Sequence, residues 1–350
     1  RILLAGGCEP LDASYAHQAL GIVLRDSGDA SGAVAQLRAG LARARAAGRP
    51  DRVADVRATL GAALVMAGRT GPGLRELDAA VATARGALLG TVLMRRAFVL
   101  TLLGRHEASL VDLRRALAAV RRAGDVVWEA RTLNNRANVE LALGDVTRAE
   151  RDIRRAEELF TGCGQELEAV HALHNRGVLA ELRGDLPAAF RRYDRAAARY
   201  AELGAPSADL VLDRCRAHIR AGLAAEAVDL ADGALAGDLQ PRHRAELLLV
   251  LAGACLEGGD HQRAAVAAAQ ARRMFHRQAR SWWELRARLV LAQARLASGR
   301  ADRRTAEELE AVAAALVAEG SDDAVHALLL AGRVALARGR DPHRALASAA

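Results

Sequence analysis

Leu143-Gly144-Asp145-Val146-Thr147-Arg148-Ala149, continued through Ile153 to Ala156, is the stretch on which the fold turns. Its Leu-Gly-Asp core recurs along the chain. It reads Ser27-Gly28-Asp29, Ala67-Gly68-Arg69, Leu103-Gly104-Arg105 and Arg183-Gly184-Asp185, then Ala221-Gly222-Leu223, Gly258-Gly259-Asp260, Ser298-Gly299-Arg300 and Arg338-Gly339-Arg340. Successive glycines lie 36 to 40 residues apart. A helix that ends in the left-handed region needs a residue without a Cβ penalty, and an Asp after it can accept hydrogen bonds from the free amides of the next helix. A second breaker stands about halfway between turns at Gly48, Gly124, Gly164, Gly204 and Gly320. Each repeat therefore reads as a first helix, a tight turn, a second helix and a loop.

Small residues hold the same register. Seven before the turn glycine stand Gly21, Gly61, Ala97, Ala137, Gly177, Cys215 and Ala252. Five after it stand Ala33, Ala149, Ala189, Ala227 and Ala264, and twelve after it Ala80, Ala116, Ala156, Ala196, Ala234, Ala271 and Ala311. Small side chains let helices approach closely, while Leu37, Leu77, Leu113, Ile153 and Tyr193, nine after the glycine, fill the gaps. Repeat eight breaks the register with Arg304 where a small residue is expected.

Composition agrees with a helical array. The chain has 350 residues, 51% hydrophobic and 3% aromatic, with about a quarter Ala and no lysine. Such a chain is too apolar for disorder and too poor in aromatic and β-branched residues for a large sheet. No apolar run approaches the ~18 residues of a membrane span. The net charge of +8 is all arginine over acid, spread through every repeat, so no nucleic-acid or membrane partner is expected. The 350 residues count as eight helix pairs and part of a ninth in one array, with turns near 28, 68, 104, 144, 184, 222, 259, 299 and 339, and without a second domain. Residues before Pro10 read as the tail of an earlier element. Neither end carries a polar capping helix, the chain opens on Arg1, and it stops soon after Pro342, where the last second helix should begin. The array or another domain is thus expected to continue beyond at least one end.

The spaced small residues and the Gly-Asp turn resemble the tetratricopeptide repeat over about residues 11 to 350. The resemblance implies an all-α, right-handed superhelical solenoid of antiparallel helix pairs, here with repeats of about 40 residues against the usual ~34. It also implies a groove lined by first helices, at about thirteen, ten, six and three residues before each turn glycine. In repeats four to six those offsets give Arg131, Asn134, Asn138, His171, His174, Glu181 and Arg216 as candidates for binding a partner. Asn and Arg suit a peptide backbone or a carboxylate; the plainer alternative is a solvated face.

Further stretches resemble the repeat region of actinobacterial proteins that end in a caspase-like CHAT domain. They are Trp128-Glu129-Ala130-Arg131, Leu133-Asn134-Asn135-Arg136, Gly164-Gln165-Glu166-Leu167, His174-Asn175, Gly184-Asp185-Leu186-Pro187-Ala188-Ala189, Leu212-Asp213-Arg214-Cys215 and Phe275-His276-Arg277-Gln278 with Trp282. That family's catalytic residues lie in a domain this sequence does not contain, so no catalytic residue carries over.

Arginine breaks the packing rule at one position. Eight before the turn glycine, Leu20, Leu60 and Leu251 give way to Arg96, Arg136, Arg176 and Arg214 in repeats three to six. These arginines either pair with second-helix carboxylates such as Asp112, Asp152 and Asp194 or form a strip for an acidic partner. Other residues carry less. His171 and His174 share a helix face but have no third ligand at matching spacing, so no metal is expected. Cys8, Cys163, Cys215 and Cys255 form no C-x-x-C pair and read as reduced, small apolar residues of a cytoplasmic protein, with no signal peptide pattern at the start. Trp282 is expected to pack on the preceding helix, and Trp283 is left open. The reading is a non-catalytic interaction or regulatory array without cofactor. It binds a protein or peptide partner, or controls a CHAT-type domain following in the same chain; the alternative is the ligand-sensing region of a bacterial transcription regulator.

Overall fold

The computed structural model describes residues 9–278, 280–299, 302–319, 321 and 323–339. Cys8, Gly320, Arg300, Arg340 and Pro342 lie outside them, as does the second helix expected near Pro342. The described residues form 17 α-helices and no strand. In chain order they are α1 Pro10–Asp26, α2 Ala30–Ala46, α3 Pro50–Met66, α4 Thr70–Thr83, α5 Gly86–Leu102, α6 His106–Arg122, α7 Val126–Ala142, α8 Val146–Gly162 and α9 Glu166–Leu182. They continue as α10 Leu186–Glu202, α11 Ala208–Arg220, α12 Ala224–Leu235, α13 Pro241–Glu257, α14 His261–Arg277, α15 Ser281–Ala297, α16 Arg303–Ala318 and α17 Asp323–Ala337. Odd numbers are first helices and even numbers second helices. Most span 17 residues, which accounts for a period longer than the usual one. No described helix is long and apolar enough to cross a membrane.

The chain divides into two compact units, one up to Leu179 and one from Ala180. In the first, α1/α2, α3/α4, α5/α6 and α7/α8 pack as hairpins, and the first helices α1, α3, α5 and α7 lie side by side. In the second, α11/α12, α13/α14 and α15/α16 do the same, with α11, α13, α15 and α17 side by side.

The turn after α7 shows why these hairpins close. Gly144 sits at φ 79°, and the Asp145 amide donates to the Glu140 carbonyl at 2.8 Å, satisfying a carbonyl that the helix end leaves open. Asp145 then caps α8, its Oδ1 accepting from the Arg148 amide at 3.0 Å. All nine turn glycines share the left-handed conformation, with φ between 66° and 90°. Within a pair, the small residue seven before the glycine makes room for the large one nine after it. A Cβ on Gly61 would lie 2.7 Å from both the Gly73 carbonyl oxygen and Leu77 Cγ, and one on Gly21 would lie 2.6 Å from Leu37 Cγ. Leu37, Leu77, Leu113, Ile153 and Tyr193 are accordingly buried.

Repeat eight corrects the sequence reading. Arg304 and Ala311 are both exposed, whereas Thr305, Leu309 and Val312 are buried. The second helix keeps its pattern one residue late, because one extra residue separates Gly299 from the packed face; Asp302 caps this helix by accepting from the Thr305 amide at 2.7 Å. Ala234 is also only half-buried, since α12 is short and ends at Leu235.

Candidate binding groove

The four arginines eight before the turn glycine all find carboxylates. Arg96 holds both oxygens of Asp112 through Nε and Nη2 at 2.6 and 2.7 Å, and its Nη1 reaches Asp78 at 2.9 Å. Arg136 holds Asp152 in the same bidentate way at 2.5 and 2.7 Å. Arg176 donates to Glu157 and Arg214 to Asp194, each at 2.8 Å and each on the second helix of the preceding repeat. Bidentate pairing with Asp112 and Asp152 raises the guanidinium pKa of Arg96 and Arg136, more than burial lowers it. The long stem replaces leucine's apolar contact while the head group is satisfied by charge.

Glu140 adds an unbalanced charge to this cluster. It is 5% exposed, its Oε2 has no hydrogen-bond partner, and its Oε1 lies 3.7 Å from Arg136, which is already engaged by Asp152. Burial first, and the Asp152 charge second, push the Glu140 carboxyl up to about 7.

The predicted partner-binding residues separate by unit. In the first unit, Arg131 donates to Glu168 of the next first helix at 2.5 Å and lies over the Trp128 ring at 5.1 Å. Asn134 accepts from Asn175 at 2.9 Å, and His174 is buried. The position ten before the turn glycine is a seam between neighbouring first helices: Gln18, Met94, His174, Leu212, Leu249 and Leu289 are at most 8% exposed there. His174 therefore shapes a floor and does not stand open in a groove; Asn134 is likewise bonded along the seam. Asn138 and His171 are exposed. The position thirteen before the glycine is tied to the following repeat: besides Arg131 to Glu168, Asp209 lies 3.6 Å from His243, and Arg286 lies 2.8 Å from Asp323.

In the second unit, Glu181 and Arg216 come together at one end of a cavity of about 410 Å³. Its floor is Ile219 on α11, Leu249 and Val250 on α13, and Leu289 and Val290 on α15, with Gly253 between them. Arg220 joins Arg216 at the α11 end, and Trp283, Arg286, Gln293, Asp323 and His326 form the α15–α17 end. Glu181 accepts from the Tyr193 hydroxyl at 2.8 Å and faces Arg220 at 3.3 Å; burial raises its pKa. Arg216 pairs with Asp213 at 2.9 Å, and Gln293 and His326 are hydrogen-bonded to each other. Three arginines thus stand around an apolar floor, each paired with a carboxylate of the chain: Arg216 with Asp213, Arg220 with Glu181 and Arg286 with Asp323.

Most of this lining obeys the thirteen-ten-six-three offsets. The same offsets applied to repeats seven to nine reach Leu249, Gly253, Arg286, Leu289, Gln293 and His326, beyond repeats four to six, to which the sequence-based groove was confined. A Cβ on Gly253 would meet no atom within 4 Å, as is also true of Gly233 and Gly332 within their own helices. Glycine inside a helix costs about 0.5–1 kcal/mol relative to alanine, and packing within the protein gives no reason for it here.

Other candidates resolve simply. Trp283, not Trp282, packs on the preceding helix: its ring stacks on Phe275 at 5.6 Å, while Trp282 is 38% exposed and meets Trp283 edge-on. The helix start at Ser281 turns Trp283 to the side of the buried Ala287 and leaves Trp282 with Arg286. Cys215 is buried, with its thiol pushed up to about 12 by desolvation, which removes nucleophilic character at neutral pH. Among the described residues no cluster of three or more His, Cys, Asp or Glu could hold a metal ion. A second space of about 740 Å³ beside Gly259 is lined partly by Asp260 and Asp302, both engaged as helix caps.

Residues 88–162, spanning α5 to α8, match the tetratricopeptide repeat family model. No curated protein sequence matches the chain. Solved structures share the fold. A tetratricopeptide repeat protein from Parabacteroides merdae superposes with a TM-score of 0.56 at 16% identity, over 81% of this chain and 99% of that one. The apo form of the quorum sensor NprR from B. thuringiensis gives 0.62 at 13% identity, over 85% and 86%. A Rap protein complexed with competence and sporulation factor gives 0.58 at 17% identity, over 77% and 76%. The fold class is therefore all-α, built of stacked helix pairs of the tetratricopeptide type.

Proposed function

We propose that this chain is a non-catalytic binding array, and that the first-helix groove of its second unit takes a peptide or a segment of a partner protein. One observation carries the reading: successive first helices, from the end of α9 through α11, α13 and α15 to α17, bring the same register positions onto a single cavity with an apolar floor and charged ends. Such a surface combines desolvation with orienting polar groups, as ligand sites do. Selection of a random-peptide display library against the whole chain tests it. Selected peptides are expected to lose binding when Val250, half-buried on the floor, is replaced by Glu, with the helical circular dichroism retained. Peptides indifferent to that change would overturn the reading.

A sensing role is the second reading, supported by likeness in fold to a quorum sensor and to a Rap protein complexed with a factor. In this role a bound peptide biases the stacking of neighbouring repeats and so an attached output domain. The finer proposal is that this output is a caspase-like CHAT domain in the same polypeptide, supported by the sequence stretches around Trp128, Gly184 and Phe275; a DNA-binding domain is the alternative. The proposed compartment is the cytoplasm, supported by free cysteines at Cys163, Cys215 and Cys255.

A further inference from the structure

We propose that repeat four is a proton-controlled hinge: the α7/α8 hairpin is held shut while the Glu140 carboxyl keeps its proton, and opens locally when that proton is lost to solvent.

Four residues before the turn glycine, the first unit carries Leu24, Leu64 and Leu100 in repeats one to three, and Glu140 in repeat four. Repeats three and four are otherwise built alike at this place. Arg96 holds Asp112 and Arg136 holds Asp152, each as a bidentate pair between first and second helix. Repeat three adds a further carboxylate only at its exposed edge, where Asp78 meets Arg96. Repeat four adds one inside, because Glu140 is buried and its Oε2 has no hydrogen-bond partner. With both carboxylates ionised, Arg136 is outnumbered in a place that water does not reach.

The surrounding cations are already engaged. The charged groups that act on Glu140 are Arg136 on its own helix, Asp145 in the turn, and Asp152 and Arg148 on α8. Arg148 lies 3.2 Å from Asp145. On the neighbouring helices, Arg96 of α5 is held by Asp112 of α6, and Arg176 of α9 by Glu157 of α8. A buried carboxyl so placed is tolerated as the neutral acid and costly as the anion.

The same residue closes the turn. The Glu140 carbonyl accepts from the Asp145 amide at 2.8 Å and from the Leu143 amide at 3.2 Å, on either side of Gly144. Charge on its side chain therefore acts where the hairpin is fastened. The first helix of this hairpin is also tied to the next one by Arg131 to Glu168 and by Asn134 to Asn175, so opening reaches the stacking beyond it. Opening returns Glu140 to water and to its ordinary 4.5, against about 7 in the closed hairpin. The closed form is thus favoured at low pH, and opening grows as pH rises towards 7 and levels off above it.

Hydrogen–deuterium exchange of the whole chain near pH 5 and near pH 8, with intrinsic amide rates divided out, tests the hinge. Amides of Val126–Gly162 are expected to lose about tenfold or more in protection between the two. Those of Gly86–Arg122, built around Leu100, are expected to keep theirs. Glu140→Leu, the residue of repeats one to three, is expected to abolish the difference; should that variant not fold, Glu140→Gln decides. Asp152→Asn releases Arg136 to Glu140 and is expected to shrink the response. Equal protection at both pH values, a loss shared by Gly86–Arg122, or an undiminished response in the Glu140 or Asp152 variants overturns the proposal.

Discussion

First-helix arginines serve in two ways, and three examples of each fall in different units. In the first unit, Arg96, Arg136 and Arg176 are turned inward onto second-helix carboxylates, with side-chain exposures of 18%, 20% and 27%. In the second, Arg216, Arg220 and Arg286 stay on the open face at 41%, 55% and 36%. The ladder continues into the second unit only as Arg214, paired with Asp194. The difference lies in position along the helix. Eight before the turn glycine, a side chain meets the second helix; six or thirteen before it, a side chain meets solvent or the neighbouring first helix. The same residue is therefore mortar in one place and exposed surface in the other.

The comparison can be broken most strongly at Arg136. Arg136→Leu leaves Asp152 and Glu140 buried without their cation, and should cost about 4 kcal/mol in a urea melt. The double change Arg136→Leu with Asp152→Leu restores the apolar pattern of Leu60 and Leu251 and should recover most of that loss. If the single change is silent, the ladder holds nothing together.

The shifted register of α16 comes next. Leu309→Ala empties a buried site and should cost about 3 kcal/mol, while Ala311→Arg should change the melting temperature little. The reverse pattern would restore the register without the inserted residue.

Glu140 sharpens the inward half of the comparison through pH. Its folded pKa of about 7 lies above the ordinary 4.5. The folded state therefore bears no cost from this group below about pH 4.5. The cost grows as pH rises and is complete above 7. Glu140→Gln should stabilise the protein by about 2 kcal/mol at pH 8 and by almost nothing at pH 4. Melts that show the same gain at both values would contradict a buried, strained carboxylate.

The smallest effect concerns glycine. Gly253→Ala should stabilise by about 0.8 kcal/mol, the helix-propensity gain alone. Gly61→Ala should destabilise, because its Cβ meets the Gly73 carbonyl oxygen.

Much of this architecture is readable from the sequence, because the turn glycine and the pairing of Gly21 with Leu37 are backbone and volume requirements that leave a residue-type signature. The sequence leaves Arg136 two roles, an acidic partner or Asp152, and its bidentate bond goes to Asp152. The inserted residue of repeat eight was hidden by composition, since an Ala-rich helix offers an alanine near any register, and Ala311 imitated the packed one. About half of the cavity lining carries no residue-type signal in the sequence for a different reason. Leu249 and Gly253 line the cavity only because α11 and α15 flank α13, and Glu140 is unbalanced only because Asp152 already occupies Arg136. Trp282 was misjudged because the start of α15, not the aromatic pair itself, decides which ring turns inward.

The central claim is that the second unit's first helices form the binding face. Photo-cross-linking from a selected peptide carrying benzoylphenylalanine at a central position, mapped by mass spectrometry, tests it most directly. The account predicts adducts within Glu246–Glu257 and Trp283–Gln293. Adducts on the second helices α14 and α16, or within Val126–Ala142 of the first unit, would contradict it.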